Sequence, residues 1–200
     1  MIMATLARNH LAWAYQNAWA NHRLLRACGQ LDQEDFVAKR TSFFPSIKAT
    51  LNHILTVDWY YVDSLERSLH GLPHNEAARR FFDPEEPFDR CAELAFAQRE
   101  SDRRLIELCR SLDDEGLQQI TAIPRSKSVV HEPTWRVLAH LFEHQIHHRG
   151  QVHAMLAGTS VKPPQLDEFF LDSEASLRES DFRELGWSEE EIWQSSAASK

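Results

Sequence analysis

Apolar residues recur at helical spacing in four long stretches of the chain. From Leu6 to Cys28, the residues Leu6, Trp13, Ala20 and Leu24 share a face, and Gly29 offers a stop. A second stretch runs from Pro45 to Leu69 with a stripe of Ile47, Leu51, Ile54, Leu55, Val62 and Leu65. Proline is tolerated in a first helical turn, where its missing N–H would be unpaired anyway, and Gly71 and Pro73 close the stretch. The third, Phe88 to Leu112, places Phe88, Cys91, Ala95, Leu105, Cys109 and Leu112 in alternating steps of three and four, interrupted at Gln98 and Asp102. The fourth begins at Pro133 or Thr134 and ends before Gly158. Its seam is Val137, Leu141, His144, His148, Val152 and Met155, the pattern of a helix facing a bundle interior.

The intervening segments read differently. Asp32, Glu34, Lys39 and Arg40 mark a loop after Gly29, and residues 71–87 form a second loop with Pro73, Pro84 and Pro87. Over 117–131, Ile120, Ile123, Val129 and Val130 flank Pro124 and Ser126, which fits either a short hairpin or an ordered loop. Beyond Pro163 and Pro164 come one or two short helices. Gly186 is a stop, Ser188 with Glu191 matches a capping box, and Ser195 to Lys200 should fray. The expectation is an all-α fold. Four helices over 1–165 make a bundle, with a short irregular or hairpin segment before the fourth, and 166–200 add a short helical tail to the same domain.

Composition narrows the function. A formal net charge of −8 argues against nucleic acid and against an anionic membrane surface as partners. No apolar run reaches spanning length and no leader pattern opens the chain, so the reading is cytoplasmic. Three cysteines, Cys28, Cys91 and Cys109, include no CxxC pair, which leaves neither a disulfide framework nor a thiolate zinc site.

Eleven histidines in 200 residues are the informative excess. His144 and His148 lie about 40° apart on one helical face, a spacing that lets two imidazoles hold one ion. A lone histidine in an apolar seam is ordinarily a core residue with one hydrogen bond, and His140/His144 is an equally good pair. A third ligand must come from another helix. His53 is the best candidate, off the main stripe of the second helix and near Ala49, Thr50, Thr56 and Val57. A zincin peptidase requires H-E-x-x-H, and here Gln145 follows His144, so that signal is absent.

The segment WRVLAHLFEHQIHHRGQVHAML, Trp135 to Leu156, resembles the signature of the DinB family, in which H-x-x-x-H is followed by Arg-Gly-Gln. Tyr15 to Asn21 resembles that family's first-helix motif, and SFFPSIKATLNHILTVDWYY, Ser42 to Tyr61, its second-helix motif. The likeness covers about residues 6–160, and the family is distinct from the similarly named translesion polymerase. It implies a four-helix bundle of the DinB/YfiT-like type with a long crossover. It also implies one divalent ion per chain, nickel or zinc, on His53, His144 and His148, and hence His148 rather than His140. Homodimers are common in such proteins. Relatives in the superfamily use low-molecular-weight thiols.

Three neutral imidazoles leave an ion its full charge and an open position, the catalytic rather than the structural arrangement. The chemistry expected is transfer of a small-molecule thiol. Metal-dependent hydrolysis, or metal binding without turnover in a stress-related protein, are the alternatives. No catalytic residue is assigned. Glu143 points about 100° from His144 on its helix, a poor position for a base. Asp58 reads as a salt-bridge partner, of Arg149, that would orient a ligand. Thr50, Thr56 and Tyr60 are expected to line the space before the ion. Trp13, Tyr15 and Trp19 cannot all face one core, a second motive for a homodimer.

Overall fold

A computed structural model describes residues 5–193. The elements are α1 (Leu6–Cys28), α2 (Gln33–Val37), α3 (Ile47–Leu69), α4 (Cys91–Ser111), β1 (Ile120–Pro124), β2 (Val129–Pro133), α5 (Thr134–Leu156), α6 (Ala175–Leu185) and α7 (Glu189–Trp193). The fold is mostly helical with one small antiparallel sheet. The frayed end expected for Ser195 to Lys200 lies outside the described residues.

Local chemistry sets the helix starts. Thr5 accepts a hydrogen bond from Arg8 N at the head of α1. Ser46 accepts from Ala49 N, so α3 opens at Ile47 rather than at Pro45. The third long helix begins at Cys91 rather than Phe88 because Asn52 clamps Phe88 outside it. Phe88 N donates to Asn52 Oδ1 at 3.0 Å, and Asn52 Nδ2 donates to Phe88 O at 2.9 Å. The segment after Gly29 is not all loop. Asp32 accepts from Asp35 N at 2.7 Å and caps the short α2, whose Phe36 is buried. Residues 120–133 form the hairpin, with Pro124 opposite Val129 and the tip closed by Arg125 N donating to Ser128 O at 2.7 Å.

Helix α1 packs on α4 and α5, and α3 packs on α4, α5 and β1. The core they enclose has two apolar parts. One contains Leu11, Trp19, Val62, Leu105 and Leu141; the other contains Leu24, Ile47, Leu51, Leu94 and Val152. A polar layer divides them, built from Asn17 and Asn21 of α1, Asp58 of α3, Gln98 and Asp102 of α4, and Gln145 and Arg149 of α5. Every one of these side chains is buried, the most accessible being Asp102 at 5%. Gln98 and Asp102 fill the two interruptions in the α4 stripe.

The layer is wired through amides. Arg149 donates to the side-chain oxygens of Asn17, Asn21 and Gln145. Asn17 and Asn21 donate to Asp102, Gln145 donates to Asp58, and Gln98 donates to both carboxylates. Burial pushes Asp58 up to about 7, with Asp102 adding to it, and pushes Asp102 up to about 6. Burial likewise brings Arg149 down to about 10.

The C-terminal helices accommodate the aromatic surplus of α1. Trp19 is fully buried and donates from Nε1 to Asp181 of α6 at 3.1 Å, and Tyr15 donates to Glu191 of α7 at 2.8 Å. Trp13 stacks on Phe142 and meets Phe170. The three rings therefore find their places within one chain, and the sequence motive for a partner surface falls away. Gly186 ends α6 at φ +72°, where a side chain would be strained, and Ser188 caps α7 through Glu191 N. The Glu191 carboxylate goes to Tyr15 instead of completing a capping box. Among the described residues no helix is long and apolar enough to cross a membrane.

Candidate metal centre

Helices α3 and α5 bring His53, His144 and His148 together, each with a ring nitrogen within 4.8 Å of the others'. His144 and His148 stand one turn apart on the side of α5 that faces α3. His53 Nε2 lies 3.0 Å from His144 Nε2, and the His53 ring meets the His148 ring edge-on at 4.6 Å. His53 and His144 are half-buried and His148 is buried. Phe44, in the loop before α3, covers His53 at 4.3 Å and touches His148 at 5.6 Å.

The rings are held as neutral bases. Burial, then His148, lowers His53 to about 4. Burial, then the neighbouring histidines, lowers His144 to about 3. Burial also lowers His148, against an opposing hydrogen bond from Gln151. That hydrogen bond sets the tautomer. Gln151 Nε2 donates to His147 Nε2 at 3.0 Å, which turns Gln151 Oε1 to His148 Nδ1 at 2.9 Å. Nδ1 of His148 therefore carries the proton and Nε2 is left as a lone pair.

The donor set fits a divalent ion. Two nitrogens each about 2.1 Å from one ion stand close to the 3.0 Å separation of His53 Nε2 and His144 Nε2. Uncharged imidazoles suit nickel or zinc better than calcium or magnesium, which favour oxygen. His144 Nδ1 is buried without a hydrogen-bond partner, so the ring is held by packing and by its Nε2 contact with His53.

The other candidates lie elsewhere. His140 is exposed, with its ring against Tyr61 and 6.5 Å from that of His144. Asp58 bonds Gln98 and Gln145, and Arg149 bonds Asn17, Asn21 and Gln145. Rather than pairing directly, the two meet through the Gln145 amide, inside the polar layer. Thr50 and Thr56 spend their hydroxyls on the carbonyls of Ser46 and His53, and Tyr60 donates to Pro124 O, so the expected hydroxyl lining is turned to the backbone. Phe44 and Gln151 fall inside the motifs read from the sequence, which gave them no role at the site. Gln151 was within reach, since it follows His148 by three residues on one helical face. Phe44 had only the Phe43–Phe44 pair in an otherwise polar loop to mark it.

A family model described as the DinB family matches residues 4–184. The match runs well beyond residue 160 and takes in most of α6, so the C-terminal segment belongs to what the family model describes. A search of curated proteins found no match.

Proposed function

The chain belongs to the DinB family, and from that premise we propose that His53, His144 and His148 hold one divalent ion, nickel or zinc, in a metal-dependent transferase of small-molecule thiols. The observation that carries this reading is the convergence of three neutral imidazoles from two helices. We read the helical core as a four-helix bundle of the DinB/YfiT-like type, working as a homodimer in the cytoplasm.

When bound, such an ion would favour the thiolate form of a thiol, or lower the pKa of a water toward about 7. The chain's own contribution is position and exclusion. Gln151 fixes the His148 tautomer, and Phe44 shields the His53 and His148 rings from water. In the transfer, the thiol proton goes to solvent and the sulfur bonds to a carbon electrophile, whose leaving group departs with the electron pair. Thiol transfer is preferred to hydrolysis because the nearby carboxylates are ill-placed as bases. Both Asp58 oxygens accept amide hydrogen bonds within the core, and Glu143 is exposed.

Elemental analysis of purified protein tests the ligand set. About one ion per chain is expected, lost in His53→Ala and His148→Ala and retained in His140→Ala. Full occupancy in His148→Ala would refute it. Cobalt-substituted protein tests the thiol, which should produce a sulfur-to-cobalt charge-transfer band that is absent from His53→Ala.

A further inference from the structure

The hairpin sets a guanidinium on two tyrosine rings of α3, the helix that also carries His53. Strand β1 lies along α3, pinned by Ala122 N donating to Ser68 Oγ at 3.1 Å and by Tyr60 donating to Pro124 O. The next residue, Arg125, is exposed at the hairpin tip and lies over two tyrosines. Its Cζ is 5.8 Å from the centroids of both Tyr60 and Tyr61, and its Nη2 donates to Tyr61 Oη at 3.2 Å.

This arginine has aromatic partners where many others in the chain have carboxylates. Arg67, Arg104, Arg136 and Arg178 pair with Asp63, Glu66, Glu132 and Glu189. Arg125 is instead held by neutral phenols, which fix its plane without neutralising it. A guanidinium has five N–H donors, and this hydrogen bond uses one. The segment 121–131 contains Arg125 and Lys127 and no acid, in a chain of net charge −8. From this tip a succession of rings leads toward the candidate metal centre. The Tyr61 ring is 5.4 Å from the His140 ring, which is 6.5 Å from the His144 ring.

We propose that Arg125, braced on the Tyr60 and Tyr61 rings, forms a carboxylate-recognising subsite, so that the ligand is a small molecule with a carboxylate remote from the group it offers to the histidines. This deepens the reading of His53, His144 and His148 as a metal site and rests on it. A carboxylate meets a guanidinium through two parallel hydrogen bonds, and a guanidinium already fixed on aromatic rings loses little freedom in making them.

Glutathione, glutathione diethyl ester and S-methylglutathione, titrated into the zinc-loaded full chain, provide the test. Glutathione should bind about tenfold more tightly than the diester. The chain's negative charge opposes that preference, so it has to arise locally. Arg125→Gln should abolish the ratio while keeping metal content and diester affinity. S-methylglutathione, which has the carboxylates and no thiol, should shift the Arg125 Nε–H signal in NMR. If it does so while neither thiol reaches the metal, the subsite stands and the thiol reading falls. If both thiols bind equally, or if Arg125→Gln lowers the melting temperature without changing the ratio, Arg125 is only a brace for the hairpin and the subsite is refuted.

Discussion

Gln145 donates its side-chain amide to the buried carboxylate of Asp58, and its neighbour in α5 is His144. Two successive turns of α5 thus serve two environments, with Gln145 and Arg149 turned into the polar layer and His144 and His148 turned toward α3. The rings of the candidate metal centre inherit their position from a helix that the layer locks in place.

Asp58→Asn should flatten the pH dependence of stability. Asp58 faces Gln98 and Asp102 from α4, and Gln145 and Arg149 from α5, with Asn17 and Asn21 of α1 completing the layer. Its folded pKa, raised to about 7, lies above the unfolded value, so the folded state binds the extra proton. Stability from this group is therefore present at low pH and lost as pH rises from about 4 through 7. The three lowered histidines act in the opposite sense below about pH 6.5, and they cancel when variant and wild type are compared. Urea midpoints between pH 4 and 8 should show the variant gaining on wild type as pH rises. Parallel curves would contradict the raised pKa of Asp58.

Arg149→Leu should be costly, because it leaves Asp102 buried with no cation in the layer. Breaking a buried charge network by removing one partner costs about 3–5 kcal/mol. Adding Asp102→Asn should recover part of the loss, and equilibrium denaturation of the single and double variants would reveal the coupling. Additive losses would mean that the two residues act independently.

Gln151→Leu should weaken zinc binding about 10–100-fold by releasing the His148 tautomer. Competition against a chelator measures this. Helix content should be unchanged, since the Gln151 side-chain hydrogen bonds go to the two histidines. Unchanged affinity would show that packing under Phe44 orients His148 without help.

Chelation should leave the far-UV helical signal intact, because α1, α3, α4 and α5 bury their own core. The melting temperature should fall by the linkage expected for loss of a bound ligand. Collapse of the helical signal would make the ion structural.

The four long helices were legible because periodicity and caps report on local energetics. Ser46 moved one boundary, and Asn52 moved another through a contact 36 residues distant in sequence, which no local pattern displays. The gaps at Gln98 and Asp102 were visible as breaks in a stripe. Their meaning was not, because it depends on Asn17, Asn21, Asp58, Gln145 and Arg149 arriving at one level. The choice between His140 and His148 was closed to spacing alone, since both lie one turn from His144. The approach of α3 brings His53 to the His148 side and Tyr61 to the His140 side. Helix α2 escaped notice because five residues carry too little periodicity to register.

The polar layer also acts as an index mark for assembly. Slipping one long helix along the others by a single turn, about 5.4 Å, would set Asp58, Asp102 or Arg149 against leucines and strand its amide partners. An apolar stripe alone would tolerate that slip, because one leucine replaces another. With a single charged rung shared by all four long helices, only one vertical alignment brings Arg149, Asp58 and Asp102 to their amide partners. The same alignment sets His53 level with His144 and His148, so an error in helix register and the loss of the three-histidine cluster become one event.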